Sequence, residues 1–165
     1  MYIGPQGIVH GTTITVMNAF RKILNQNETP KGKLFLTAGL GGMSGAQPKA
    51  GNIAGCITVC AEVNPAASRK RHDQGWVDEL IVSIAFNGNV VDVWEKFLDE
   101  NIHVHVGSDQ TSLHNPWSGG YYPVGVSFEE ANELIAHQPE KFKALVEESL
   151  RRQANAINAH AKRGT

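Results

Sequence analysis

Three glycines in close succession, Gly39, Gly41 and Gly42, follow the apolar run Lys33-Leu34-Phe35-Leu36-Thr37-Ala38 and precede the small-residue segment Ala46 to Gly55. Backbone without side chains can come close to a ligand and aim N–H groups at it. At the start of a helix the dipole adds to this, so a pyrophosphate is the group such a loop suits. In the dinucleotide-binding fingerprint a third glycine lets the helix lie close to the strand, and here that place holds Ser44, small but not ideal. An acid ending the next strand, about 20 residues on, takes ribose hydroxyls in such folds, and Glu62 stands there. Its charge favours NAD over NADP because it repels a phosphate on the ribose. Plainer readings stand beside these: a tight turn packed on the sheet for the glycines, and a solvent-exposed strand end for Glu62. Arg69, Lys70 and Arg71 could neutralise a phosphate, although a solvated helix face accounts for them more simply.

Ligands of such sheets lie beyond the carboxyl ends of the strands. Asn87-Gly88-Asn89 and Ser108-Asp109-Gln110-Thr111-Ser112 should therefore border the same crevice. Asn89 could serve equally as the N-cap of the helix that follows it, and Asp109 could merely fix its loop. His103 and His105 alternate onto one strand face, where packing or solvent contact competes with a metal pair. His114, in a polar loop, is the histidine best placed to meet a ligand.

These groups need elements to hold them. Thr12 or Thr13 is positioned to cap a helix over Ile14 to Leu24, after a turn-rich opening. Lys33 to Ala38 reads as a buried parallel strand, Ala46 to Gly55 as a short helix and Cys56 to Val63 as a second strand. Pro65 to Leu80 predicts a helix with Pro65 in its first turn, Ile81 to Phe86 a third strand, and Val90, Val93, Trp94, Phe97 and Leu98 one face of another helix. Ile102 to Val106 completes four strands, and the loop from Gly107 to Gly125 has the length of a functional segment. Ser127 and Glu130 form a capping-box pattern. Pro139 opens a helix over Glu140 to Ala161 with the stripe Phe142, Leu145, Val146, Leu150, Ala154 and Ile157, and Gly164 would end it. Strands alternating with helices predict a Rossmann-like α/β fold, three layers α/β/α around a mostly parallel sheet, as a single domain over 1–165.

Composition excludes several classes of function. With 15 basic and 16 acidic residues among 165, the formal net charge of -1 offers no bulk attraction to nucleic acid or anionic membrane. No apolar run approaches a membrane span and no signal-peptide layout is present, so a cytoplasmic location is expected. The only cysteines, Cys56 and Cys60, would lie on one face of a strand roughly 13 Å apart, too far for a disulfide and without further ligands for zinc. They read as buried free thiols.

Four stretches together resemble one family. Tyr2-Ile3-Gly4-Pro5-Gln6-Gly7-Ile8-Val9-His10-Gly11-Thr12, Thr37-Ala38-Gly39-Leu40-Gly41-Gly42-Met43-Ser44-Gly45-Ala46-Gln47, Gly107-Ser108-Asp109-Gln110-Thr111-Ser112 and Gly119-Gly120-Tyr121-Tyr122-Pro123 are similar to urocanase, in the part that forms its NAD-binding, Rossmann-like domain. Ser44 and the double tyrosine resemble the animal and protist type more than the common bacterial one. The resemblance implies an NAD site built from the loop of Gly41, Gly42, Met43 and Ser44, the ribose acid Glu62, Asn89 with Val90, the run Gln110, Thr111, Ser112, Leu113 and His114, and Tyr121 with Tyr122. Two departures stand out. Ala67 occupies the place of an arginine found in many bacterial members, and about 20 residues, one helix with its turn, are missing between Leu80 and Ile81.

The resemblance further implies hydration of urocanate to imidazolonepropionate in histidine degradation, with NAD+ as an electrophile that urocanate attacks, not as a hydride carrier, in a homodimeric enzyme. It places a functional cysteine and much of the substrate pocket beyond the C-terminus of this chain, so this stretch is expected to bind NAD without turning over urocanate, and no catalytic residue is assigned within it. An NAD-dependent dehydrogenase domain would use the same loop and acid, although the Asp-Gln-Thr-Ser loop is foreign to common dehydrogenases. A nucleotide-sensing module without catalysis is a third reading.

Overall fold

The computed structural model describes residues 4–77, 83–109 and 115–165. Among these residues four strands and six α-helices follow one another as α1 (Gly4–Ile23), β1 (Leu34–Ala38), α2 (Ala46–Ala54), β2 (Ile57–Glu62), α3 (Pro65–Asp73), β3 (Ser83–Asn87), α4 (Val90–Asp99), β4 (Val106–Gly107), α5 (Phe128–His137) and α6 (Pro139–Lys162). All strand pairs are parallel, in the spatial order β3-β2-β1-β4. The expected three-layer α/β fold is found.

Alternation along the strands assigns the layers. Phe35 points to one face, where Val16 and Phe20 of α1 and Ala50 of α2 bury it. Leu36, Ala38, Val59 and Ala61 point to the other, against Val90, Val93 and Trp94 of α4 and Ala156 of α6. A strand covered on both faces has to be apolar nearly throughout, which is why β1 and β2 read as continuous hydrophobic runs. Among the described residues no helix is long and apolar enough to cross a membrane. Cys60 in β2 and Cys56 just before it are buried free thiols, as expected.

Several boundaries differ from the sequence reading, each for a physical reason. The turn-rich opening is helical from Gly4, because the face carrying Val16 and Phe20 is anchored on α2 and extends the helix backwards. Thr13 caps nothing; its hydroxyl donates to the Val9 carbonyl at 2.7 Å inside the helix. Helix α3 stops at Asp73, with Gly75 left-handed at φ 64 just beyond. The fourth strand is only Val106–Gly107. The Leu34 amide that a longer ladder would use is taken at 3.1 Å by the ring Nδ1 of His105, so a side chain replaces a backbone rung. Residues 78–82 and 110–114 lie outside the described residues, and with them the start predicted for the third strand.

Helix α6 departs from its predicted stripe in its second half. Phe142 and Val146 are buried as expected, but the inward line continues through Ser149, Gln153, Ala156 and His160, while Ala154 and Ile157 face outwards. Those inward polar groups are all engaged: the Ser149 hydroxyl accepts the Val124 amide at 2.9 Å, and the His160 ring N–H donates to the Trp94 carbonyl at 2.9 Å. This half of the helix supports loops as well as the sheet.

Candidate functional site

The sheet order brings the carboxyl ends of β1, β2 and β3 to one rim, with Ala38 opposite Ala61 and Glu62 opposite Asn87 in register. The chain leaves β1 through Gly39, left-handed at φ 91, where only glycine is unstrained. Its amide donates to the Ala61 carbonyl at 2.7 Å, and the Gly88 amide donates to the Glu62 carbonyl at 2.9 Å, so each exit turn is tied to its neighbouring strand. Between these turns lies a cleft of about 260 Å³.

The glycine loop is a tight structure. The Gly41 amide donates to the Ser44 hydroxyl at 2.9 Å, and the Gly45 amide to the Gly41 carbonyl at 3.2 Å. Among the described residues the amides of Gly42, Met43 and Ser44 meet no acceptor. Three backbone donors without partners at the start of α2 are what an anion-binding turn presents. A Cβ at Gly42 would meet nothing within 4 Å, so the loop's outer side is open.

Beneath the loop lies Arg71. Its place in a polar helix predicts a solvated face; instead it is 9% exposed. Its Nε donates to the Leu40 carbonyl at 3.0 Å, and its Nη2 to the Gly41 and Gly42 carbonyls at 2.6 and 3.4 Å. Nη1 donates to the Gln74 side-chain carbonyl at 2.7 Å, and the guanidinium lies 4.4 Å from the Trp76 ring centre. The close-packing glycine expected at the place of Ser44 is instead provided by Gly45, the N-cap of α2, and by Gly51 within that helix. A Cβ on Gly45 would sit 2.6 Å from Arg71 Nε, and one on Gly51 1.9 Å from Thr58 Oγ1 of β2.

Glu62 lines the cleft and turns its carboxylate along the rim. One oxygen accepts the Leu40 amide at 2.5 Å and the other the Asn64 amide at 2.8 Å. Asn89 is the N-cap of α4, its side-chain Oδ1 accepting the Val91 amide at 2.9 Å, and its side-chain Nδ2 donates to the Tyr122 backbone carbonyl at 2.7 Å. Capping and cleft lining are thus combined in one residue. Its neighbour Val90 also lines the cleft.

Tyr121 and Tyr122 close the cleft with Gly119 and Gly120, two glycines of the family-like stretch that the resemblance does not itself place in the site. The buried Tyr121 hydroxyl donates to the Gln153 side-chain carbonyl at 2.8 Å, and burial pushes its pKa up to about 12. Gln153 in turn donates to Asp109, which fixes the loop after β4, as its plainer reading held. Tyr122 donates to Asn132 at 2.9 Å and stacks on Phe128. The loop start is also held at Ser108, whose hydroxyl donates to the Gln47 side-chain carbonyl at 3.2 Å and meets the Thr37 hydroxyl at 3.0 Å.

Of the residues singled out in the sequence, the structure therefore brings Gly41, Ser44, Glu62, Asn89, Val90, Tyr121 and Tyr122 to one cleft. Gly42 and Met43 belong to the same loop, Met43 being 69% exposed. Gln110, Thr111, Ser112, Leu113 and His114 lie outside the described residues. His103 and His105 contact each other edge to face at 4.6 Å, and among the described residues no cluster suited to a metal ion occurs. Cys60 donates to the Gly39 carbonyl at 3.4 Å, and burial raises its thiol pKa.

Comparison with known proteins agrees with this architecture. The family model described as the urocanase Rossmann-like domain matches residues 4–83 and 80–165. A protein of Dictyostelium discoideum named "Probable urocanate hydratase" is 55% identical over 182 residues, covering 99% of this chain and 27% of that protein. The similarly named protein of Caenorhabditis elegans is 52% identical over 183 residues (99% and 27%), and the urocanate hydratase of Homo sapiens 51% over 185 (98% and 27%). The chain thus spans about a quarter of the length of these relatives, and the alignments are longer than its 165 residues. Matched by the family model along nearly its whole length, the chain belongs to the urocanase family, in its Rossmann-like domain.

Proposed function

We propose that this chain is the NAD-binding domain of a urocanate hydratase, whose parent enzyme adds water to urocanate to give imidazolonepropionate. The observation that carries the reading is the pairing of a loop before α2, which lines the cleft through Gly41 and Ser44 and holds three backbone amides without acceptors among the described residues, with the Glu62 carboxylate at the end of β2. The amides of Gly42, Met43 and Ser44 would take the diphosphate. Each Glu62 oxygen accepts one backbone amide and keeps a lone pair for an adenosine ribose hydroxyl. The negative charge there disfavours the phosphate of NADP. A second cleft of about 340 Å³, which shares Val63, Gly88 and Asn89 with the first, offers Pro65 and Asn87 as walls for the adenine.

Bound NAD+ supplies an electron-poor nicotinamide ring as electrophile, which is chemistry no side chain offers. The domain's part is to orient that ring, with Asn89 holding the Tyr122 backbone and Gln153 holding Tyr121 at the opposite side of the cleft. The names of the relatives favour a hydratase over a dehydrogenase for the parent. The extra alignment positions and the division of the family match into two segments that overlap at residues 80–83 support the absence of a helix-sized segment between Leu80 and Ile81. A cytoplasmic homodimer is part of the same reading.

Calorimetry of the chain with NAD+, NADP+ and AMP tests the assignment, together with a urocanate hydration assay on the full-length parent. NAD+ is expected to bind more tightly than NADP+, and the parent, not the isolated chain, to turn over urocanate. Absence of NAD+ binding, or turnover by the chain alone, would overturn it.

A further inference from the structure

We propose that Arg71 is a positioning residue for the diphosphate subsite: from beneath the glycine loop it turns three carbonyls inwards and so aims the loop's amides at the ligand. The inference rests on the NAD reading above and adds a residue that sequence pattern alone leaves on a solvated helix.

The geometry follows from the planar trans peptide, in which a carbonyl and the next residue's N–H point in opposite directions. Arg71 draws the carbonyls of Leu40, Gly41 and Gly42 towards itself at 3.0, 2.6 and 3.4 Å. The N–H groups of Gly41, Gly42 and Met43 must then face the other way. Gly41 spends its amide on the Ser44 hydroxyl, whereas Gly42 and Met43, with Ser44, remain open among the described residues. A fork of planar donors can hold several carbonyls at fixed angles, as a single ammonium cannot.

Charge adds to orientation. Arg71 is 9% exposed, and among the described residues its hydrogen-bond partners are all neutral: three backbone carbonyls and the Gln74 side chain, with the Trp76 ring alongside. A buried cation with neutral partners is costly to maintain. A doubly negative group on the far side of the loop would be attracted to it through the polarised peptides, in a medium that screens far less than water. Gly45 belongs to the same device. A Cβ there would lie 2.6 Å from Arg71 Nε, 3.0 Å from its Cζ and 3.0 Å from the Gly41 carbonyl oxygen, so the glycine makes room for the guanidinium and for a carbonyl it holds.

Four proteins separate the possibilities: the unaltered chain, Arg71→Met, Arg71→Lys and Gly45→Ala. Each is titrated with NAD+ and with adenosine, which carries no phosphate, and checked for folding by circular dichroism. Loss of charge-assisted bonds of this kind should weaken NAD+ binding at least about tenfold in Arg71→Met, with a smaller loss in Arg71→Lys and adenosine affinity within about twofold throughout. Gly45→Ala, which crowds both the guanidinium and the Gly41 carbonyl it holds, should reproduce the NAD+ defect; Arg71→Lys carries the test if Met prevents folding. Equal losses for both ligands would reduce Arg71 to a purely structural role, and unchanged NAD+ binding would remove it from the site; either overturns the inference while leaving the NAD reading standing. Failure of the unaltered chain to bind NAD+ would instead overturn the reading on which it rests.

Discussion

The Glu62 carboxylate accepts the Leu40 amide at 2.5 Å, so the acid ending β2 also anchors the loop leaving β1. Glu62→Gln keeps the shape and one acceptor oxygen but loses the charge. It should weaken NAD+ binding about tenfold or more and lower stability by about 1 kcal/mol. Calorimetry and thermal melting read these two effects independently. A variant that melts lower yet binds NAD+ as before would confine Glu62 to anchoring the loop.

Two glycines in helices should respond oppositely to the same substitution. Nothing lies within 4 Å of a Cβ on Gly11, whereas one on Gly51 would meet Thr58 Oγ1 at 1.9 Å. Gly11→Ala should stabilise by up to about 1 kcal/mol through helix propensity. Gly51→Ala should destabilise by roughly 1–3 kcal/mol through overpacking, and Thr58→Ala should recover part of that in the double variant. Urea denaturation of the unaltered chain, the three single variants and the double variant checks the set; additivity of the Gly51 and Thr58 changes would deny the contact.

Burial raises the pKa of both thiols, for Cys60 with a further push from the nearby Glu62 charge. Neither should react with a thiol-specific disulfide reagent at pH 8 in the folded chain, and both should react once guanidinium unfolds it. Rapid labelling of the native protein would contradict the buried positions in β2 and at its start.

Helices α4 and α6 are joined by Arg152, which donates to Glu95 through Nε at 2.9 Å and Nη2 at 2.6 Å. The hydrogen bonds to Arg152 hold the Glu95 carboxyl below its usual range. A depressed folded-state pKa means stability present above the unfolded value, about 4.3, and lost as pH falls through the folded one. Both side chains are more than a third exposed, so Glu95→Gln should cost under about 1 kcal/mol at pH 7 and nothing near pH 2. Paired melting curves at the two pH values test the sign.

What the sequence made legible was local. The apolar run of β1, the left-handed exit at Gly39, the acid ending β2 and the Ser127–Glu130 capping box each depend on neighbours in the chain. What it hid depends on distant contacts. Arg71 sits in a short polar helix and becomes buried only because the glycine loop folds over it. The end of α6 reads as an apolar stripe, yet Gln153 faces inwards because Tyr121 and Asp109 both need a partner. His105 broke the expected fourth strand by lending its ring to the Leu34 amide, a substitution that no propensity encodes. Asn89 was legible both ways, and its two functions proved compatible.

The loop after β1 is gripped twice, its Leu40 amide by Glu62 and its Leu40 carbonyl by Arg71. Opposed attachments on a single peptide neighbourhood leave little freedom to be lost later, since the entropic cost of fixing that backbone is met when the chain folds. A ligand that needs this loop in its present shape would lose little in ordering it, and its residence time would then depend on how well the rim matches it.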